Sequence, residues 1–294
     1  MTLLALPAPV RTLTVTEADV TGYRAAARPG LAPAAPGQSS PVHPFVLAHT
    51  VAEQTVAELT AAEPGPVSVV HLGQDIRVLR PVRPGEEVTV RLEVLGIRKE
   101  ARGARIALRV RLTGQGEGRT GPEPFAELVI SALLVGATLL EPFGDIAGGS
   151  PAPTPLGAGP PQTVTHELTT DRIRTYAHAS GDLNPIHLDP EAARAAGFDT
   201  VIAHGMSVVA LAVEEAVDRF ADGDASRVRG LGCRFSAPVP PGVPLDIVLQ
   251  PDAEARVVRF TCKTPTGAAV KSGWVEIAGP NPAAPPVPEG GDLP

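Results

Sequence analysis

The sequence predicts an α+β fold in which antiparallel sheet wraps around long apolar helices, built twice in one chain. Three observations predict it. Two long segments are apolar nearly all round, each precedes text that alternates with period two, and the two halves repeat the same order of elements. With 294 residues, 43% of them hydrophobic and 19% charged, the chain has ample material for such cores. A formal net charge of −7 offers no basic surface, so nucleic acid is not an expected partner.

The first half begins with "TEADVTGYRAAA", a short capped helix carrying Tyr23. A longer apolar helix, "HPFVLAHTVAEQTVAEL", follows and is opened by His43. A Pro-Val-x-Pro-Gly turn then leads into alternating strands, "VTVRLEV", "ARIALRVRL" and "AELVISALLVG". Residues 144–162, "GDIAGGSPAPTPLGAGPPQ", are too rich in Pro and Gly for a helix or a paired strand, so they read as an extended linker. It divides a unit at 1–143 from a second at 163–279.

The second half repeats the plan. "TTDRIRTYAHAS" is a helix carrying Tyr176, capped by Thr169 or Thr170 and stopped by Gly181. "LDPEAARAAGF" is a further helix, with Asp189 as cap, Pro190 in the first position and Gly197 as terminator. "HGMSVVALAVEEAVDRF" is the long apolar helix, and a second Pro-Val-x-Pro-Gly turn follows it. "RVRGLGCRF", "LDIVLQ", "RVVRFTCKT" and "AAVKSGWVEIA" supply strands with one wet face, hence antiparallel. The tail over 280–294 is expected to be disordered.

Cys233 and Cys262 lie far apart in strand-like text and are expected to be buried, reduced thiols. The N-terminal text lacks the basic region of a signal peptide, and no window reaches the roughly 18 apolar residues of a spanning helix. A soluble, cytoplasmic protein with no membrane partner is the expectation.

Between the two short helices of the second half lies "DLNPIH", stiffened by Pro185, which is expected to hold itself and Asn184 extended. This is either an ordinary polar turn or an acid/base pair. In the second reading Asp182 and His187 converge on one point and move protons at a carbon centre, while Asn184 orients either group or a water. Downstream, His204-Gly205-Met206 opens the long helix. The first turn of a helix leaves N–H groups unpaired, and Gly205 lets a ligand oxygen approach one closely, which would suit a thioester carbonyl.

The stretch "YAHASGDLNPIHLDPEAARAAGFDTVIAHGM" strongly resembles the signature of the MaoC-like, (R)-specific enoyl-thioester hydratases and 3-hydroxyacyl-thioester dehydratases. It matches G-D-x-N-P-x-H, the x-D-P-x-x-A helix and the downstream H-G-M. The wider chain resembles the double-hotdog members, including the mycobacterial-type dehydratases. The resemblance implies two hotdog units side by side, their sheets joined into one continuous antiparallel sheet with both long helices inside. It also implies a hydro-lyase of acyl metabolism. Such an enzyme reversibly hydrates trans-2-enoyl thioesters, or dehydrates (R)-3-hydroxyacyl thioesters, of CoA or acyl carrier protein. No metal or organic cofactor is implied. Carried over by position, Asp182 and His187 become the catalytic pair, Gly205 the backbone donor to the thioester oxygen, and Asn184 the orienting residue of the loop.

The first half departs from the pattern. Tyr23 and His43 are 20 positions apart, whereas Tyr176 and His204 are 28 apart. The text between the first pair has no Asp, Asn or His to replace the loop, and Pro44 has no N–H to donate. One site per chain is therefore expected, at the junction of the units, with the first half shaping an acyl pocket that the missing loop would leave wider. His43, His49, His71, His166 and His178 show no metal-ligand spacing. The chain is a pseudo-dimer, with a homodimer left open. Two other readings stand beside the hydratase. One is a hotdog thioesterase using a helix carboxylate, although Glu214 and Glu215 sit about three turns in. The other is a non-catalytic acyl-thioester-binding or partner subunit.

Overall fold

The computed structural model describes residues 9–115, 121–146 and 151–279. In the first half, β1 (Val10–Thr14), α1 (Glu17–Ala27) and α2 (His43–Thr60) precede β2 (Ser68–Val78), β3 (Glu87–Glu100), β4 (Gly103–Gln115), β5 (Pro122–Val135) and the two-residue β6 (Phe143–Gly144). In the second, β7 (Gln162–Glu167), α3 (Thr170–Ser180), α4 (Pro190–Ala195) and α5 (Gly205–Phe220) precede β8 (Val228–Phe235), β9 (Pro244–Pro251), β10 (Val257–Thr264) and β11 (Gly267–Ile277).

The strands form one sheet in the order β1-β3-β4-β5-β2-β8-β11-β10-β9-β7, with β6 on β3, and every pairing is antiparallel. The order reads the same from either end once β1, β2, β3, β4 and β5 are matched with β7, β8, β9, β10 and β11. The halves meet where β2 pairs with β8, Asp75 opposite Gly232. Asp75 and Gly232 have the same sequence separation as Gly85 and Gly242, so a pseudo-two-fold axis passes through that pair. Gly85 and Gly242 both take positive φ in the Pro-Gly turns. Their N–H groups reach equivalent carbonyls, of Val15 at 2.7 Å and Leu168 at 3.0 Å.

The alternation read from the sequence decides which face of the sheet is dry. In β9, and in β3 as far as Val94, every second residue is buried, so Val88, Val90, Leu92, Leu245, Ile247 and Leu249 line the inner face. Helix α5 fills the concavity of its half, with every residue from Met206 to Val217 buried. Helix α2 buries Phe45, Leu47, Ala48, Val51, Ala52 and Thr55 and leaves the opposite face partly open.

Besides the two-residue β6, three strands escape the sequence reading: β1, β2 and β7. The first and last are short edge strands before the capped helices, and "TVTHE" in β7 lacks a buried apolar face, with its residues half-buried or exposed. The linker also differs from expectation at its ends, since Gly144 pairs with Gly96 and Gln162 already belongs to β7. Between them it is bound to the β9–β10 turn. Gly159 N–H donates to Pro251, Ala253 N–H donates to Leu156, and the Gln250 amide donates to Gly159, at 2.8–3.0 Å. Proline-rich backbone has few donors, so of these three bonds the linker donates only the one from Gly159 and accepts the other two. The tail expected to be disordered, 280–294, lies outside the described residues. Among the described residues, no helix is long and apolar enough to cross a membrane.

Candidate active site

The loop is built by its own short side chains. Thr169 caps α3 by accepting from Arg172 N–H, and Gly181 ends the helix with φ of 74°. Ser180 Oγ then accepts from Asp182 N–H, Asp182 Oδ1 from Asn184 N–H, and Asn184 Oδ1 from Ile186 N–H, at 3.2–3.3 Å. Asn184 is extended as expected. Pro185, however, opens a 3-10 turn through His187, because the Asn184 side chain caps that turn. Asn184 thus spends its side-chain oxygen on the loop itself. Asp189 caps α4 with Pro190 in its first position, and Gly197 follows that helix at φ of 90°.

This construction brings Asp182, His187 and His204 together, with one ligand-type atom of each inside a span of 4.8 Å. His187 Nδ1 lies 2.8 Å from the carbonyl of Ile202, and His204 Nε2 lies 3.0 Å from the carbonyl of Asp182. A carbonyl can only accept, so both nitrogens carry the proton. The two imidazoles lie close, with ring centroids 3.8 Å apart. Burial lowers the pKa of His187, against smaller opposing effects of the Ile202 bond and Asp182. Burial and then the nearby His187 lower His204 to about 4. Both rings are therefore neutral near pH 7, and His187 keeps a basic Nε2.

Gly205 is the first residue of α5, where a backbone N–H has no intrahelical acceptor. Packing also requires glycine there: a Cβ would come within 2.8 Å of the Phe235 ring. His204 rests on the buried ring of Tyr176, as His43 rests on Tyr23. The two tyrosine hydroxyls meet at 3.2 Å across the pseudo-axis.

The first half contributes side chains that the sequence reading did not assign. His49, on α2, brings Nε2 to 3.5 Å from Asp182 Oδ1 and 3.6 Å from Glu53 Oε1. Phe45 stacks between His49 and His71, with centroids 5.5 and 5.8 Å away, and His71 leans on Phe235 at 4.6 Å. A row of rings thus runs from Asp182 to the Phe235 ring that abuts Gly205. The signal in the sequence was slight, since Phe45 and His49 lie at i,i+4 on a helix whose apolar run reads as core.

Two groups of side chains come close enough to share a cation: Asp182 with His187 and His204, and Asp182 with His49 and Glu53. Linear spacing hides both, because their members come from separate elements. Glu214 and Glu215, the carboxylates a thioesterase would need, are committed elsewhere. Glu214 Oε2 takes Arg24 at 3.2 Å and Arg28 at 2.6 Å, all three buried. Glu215 takes His166 at 2.6 Å and Arg219 at 2.8 Å. Burial pushes the Glu215 carboxyl up, but those two partners outweigh it and hold it below its ordinary value.

The family model described as MaoC like domain matches residues 151–270. The 3-hydroxyacyl-thioester dehydratase X of Mycobacterium tuberculosis is 30% identical over 237 residues, 79% of this chain and 77% of that protein. The chain belongs to the MaoC-like family. A probable enoyl-CoA hydratase 2 of Dictyostelium discoideum is 27% identical over 180 residues, 60% of this chain. The chain spans 58% of that relative, and only 11% of the mouse peroxisomal multifunctional enzyme type 2 that it also matches. Among solved structures, a MaoC-like dehydratase from Phytophthora capsici superposes with a TM-score of 0.74 at 21% identity, covering 95% of this chain and 98% of that one. A Mycobacterium tuberculosis protein described as a double hotdog gives a TM-score of 0.60 at 15% identity, over 92% and 94% of the two chains. The fold of this MaoC-like chain is accordingly a double hotdog.

Proposed function

We propose that the chain reversibly adds water across the C2–C3 double bond of trans-2-enoyl thioesters, and so also dehydrates (R)-3-hydroxyacyl thioesters, carried on CoA or acyl carrier protein. The observation that carries this reading is the convergence of Asp182 with a neutral His187 whose Nε2 is left free by the Ile202 bond. Such a pair takes one proton from water as its oxygen attacks C3 and returns one to C2, so that one water is added and nothing is left over. The N–H of Gly205, at the positive end of α5, donates a hydrogen bond to the thioester oxygen and stabilises the charge that gathers there as the enolate forms. Asn184 holds the loop that carries both groups.

In the same proposal residues 163–279 form the catalytic unit, and residues 1–143 supply the wall facing the acyl chain, with 144–162 between them. The Phe45, His49 and His71 row supports that division. The names of the two relatives support the reaction class. A cytoplasmic setting belongs to the same reading and is consistent with Cys233 and Cys262 being free and buried.

The test is the loss of enoyl absorbance with crotonyl-CoA and with a longer trans-2-enoyl-CoA. Hydration is expected from the wild type and a drop of roughly 10²–10⁴ in kcat from Asp182→Asn or His187→Ala. Release of free thiol would point to hydrolysis instead, and near-wild-type turnover by either variant would refute the assignment.

A further inference from the structure

Resting on the reading just given, the geometry points to His49 as a positioning residue for Asp182: the half that lacks a loop supplies the side chain that holds the other half's acid in place. His49 Nε2 is buried and has no hydrogen-bond partner, yet it stands between two carboxylate oxygens, Asp182 Oδ1 at 3.5 Å and Glu53 Oε1 at 3.6 Å. Stacking on Phe45, at an interplanar angle of 20°, fixes the ring so that this nitrogen faces the gap. A core histidine with nothing to do would turn its polar atoms toward a backbone partner.

The charges around His49 come from four elements. Glu53 lies one turn along α2, Asp182 on the loop, His71 on β2 and His204 at the cap of α5. Burial lowers both His71 and His204 to about 4, so each is neutral at working pH and the carboxylates dominate. Placed between the two carboxylates, the His49 ring offsets the repulsion between Asp182 and Glu53. Without it, Asp182 would face Glu53 alone. Burial and the charge of Asp182 already raise Glu53, against the pull of His49. His49 touches no reacting atom; it acts through Asp182.

The experiment measures pH profiles of kcat and KM for enoyl-thioester hydration by the wild type, His49→Gln, Glu53→Gln and His49→Gln/Asp182→Asn. For His49→Gln the account expects kcat to fall about tenfold at neutral pH with little change in KM, and the acid limb to move up by about one pH unit. Glu53→Gln should move the acid limb the other way. It removes a half-exposed charge and folds readily, so it decides the matter even if His49→Gln is unstable. The double variant should be no slower than Asp182→Asn alone, since both changes act through one carboxylate. An unchanged profile in Glu53→Gln, or a loss in His49→Gln confined to KM, overturns the inference while leaving the hydratase reading intact. So does a double variant whose losses multiply. A wild-type chain that hydrates no enoyl thioester overturns both.

Discussion

Two faces of the molecule are related by the pseudo-axis between Tyr23 and Tyr176, and they are filled differently. On one face α5 turns Glu214 toward the first half, where Arg24 and Arg28 from the end of α1 close on it and Arg28 also reaches Asp218 at 2.8 Å. On the other face α2 turns Glu53, the residue equivalent to Glu214, toward the second half. There it meets His49 and the Asp182 loop. Guanidinium groups stay charged at any working pH, so the first face is a fixed ionic lock. On the second face an imidazole and a half-buried carboxylate meet instead, and the proposed proton transfer is placed there. In the first half Arg24 Nη1 donates to Gln38 Oε1 at 2.9 Å, and Arg24, Arg28, Ser39 and Ser40 are buried.

The largest effects of substitution are expected on rate. Asp182→Asn and His187→Ala should cost hydration roughly 10²–10⁴ while leaving the thermal midpoint within a few degrees of wild type. Glu214→Gln should leave chemistry per folded molecule alone and cost stability instead. Two buried guanidinium groups lose their counter-charge, which destabilises by about 3–5 kcal/mol in denaturant unfolding.

Acid should act on the buried imidazoles. Burial holds His43 and His204 at about 4, below the ordinary 6.5. Between those values the unfolded chain binds protons that the folded chain refuses. Stability is therefore full above pH 6.5 and falls as pH drops toward 4, by a few kcal/mol, on the order expected from shifts of this size. Urea unfolding at pH 7 and pH 4.5 measures it, and His43→Gln should reduce the difference. The smallest effect lies on the axis itself. Tyr23→Phe leaves the Tyr176 hydroxyl buried without its partner and should cost about 1–3 kcal/mol, while Tyr23→Phe/Tyr176→Phe should cost less than the two single changes added together.

The legible parts of this molecule were local. Caps, stops and the loop are written within a few positions of one another, so Thr169, Gly181, Asp189 and Gly205 are found where the sequence puts them. Duplication made the sheet readable, because each half repeats the same turn and the same alternation. What linear order hides is contact across the axis. His49 lies far from Asp182 in sequence, on a helix whose apolar text reads as core, and its polar role exists only once the halves pack. Arg24 and Arg28 look like ordinary charges on a short helix. Their i,i+4 spacing on the side that carries buried Val20, Tyr23 and Ala27, together with Glu214 inside an apolar helix, was the signal available.

This division puts the proposed chemistry on one face and the ionic lock on the other. It is tested most directly by measuring enoyl-CoA hydration for Asp182→Asn and Glu214→Gln side by side, at a temperature where circular dichroism shows both folded. The account predicts that Asp182→Asn loses at least about a hundredfold in kcat and Glu214→Gln less than about threefold. Equal losses in the two variants, or a greater loss in Glu214→Gln, would contradict it.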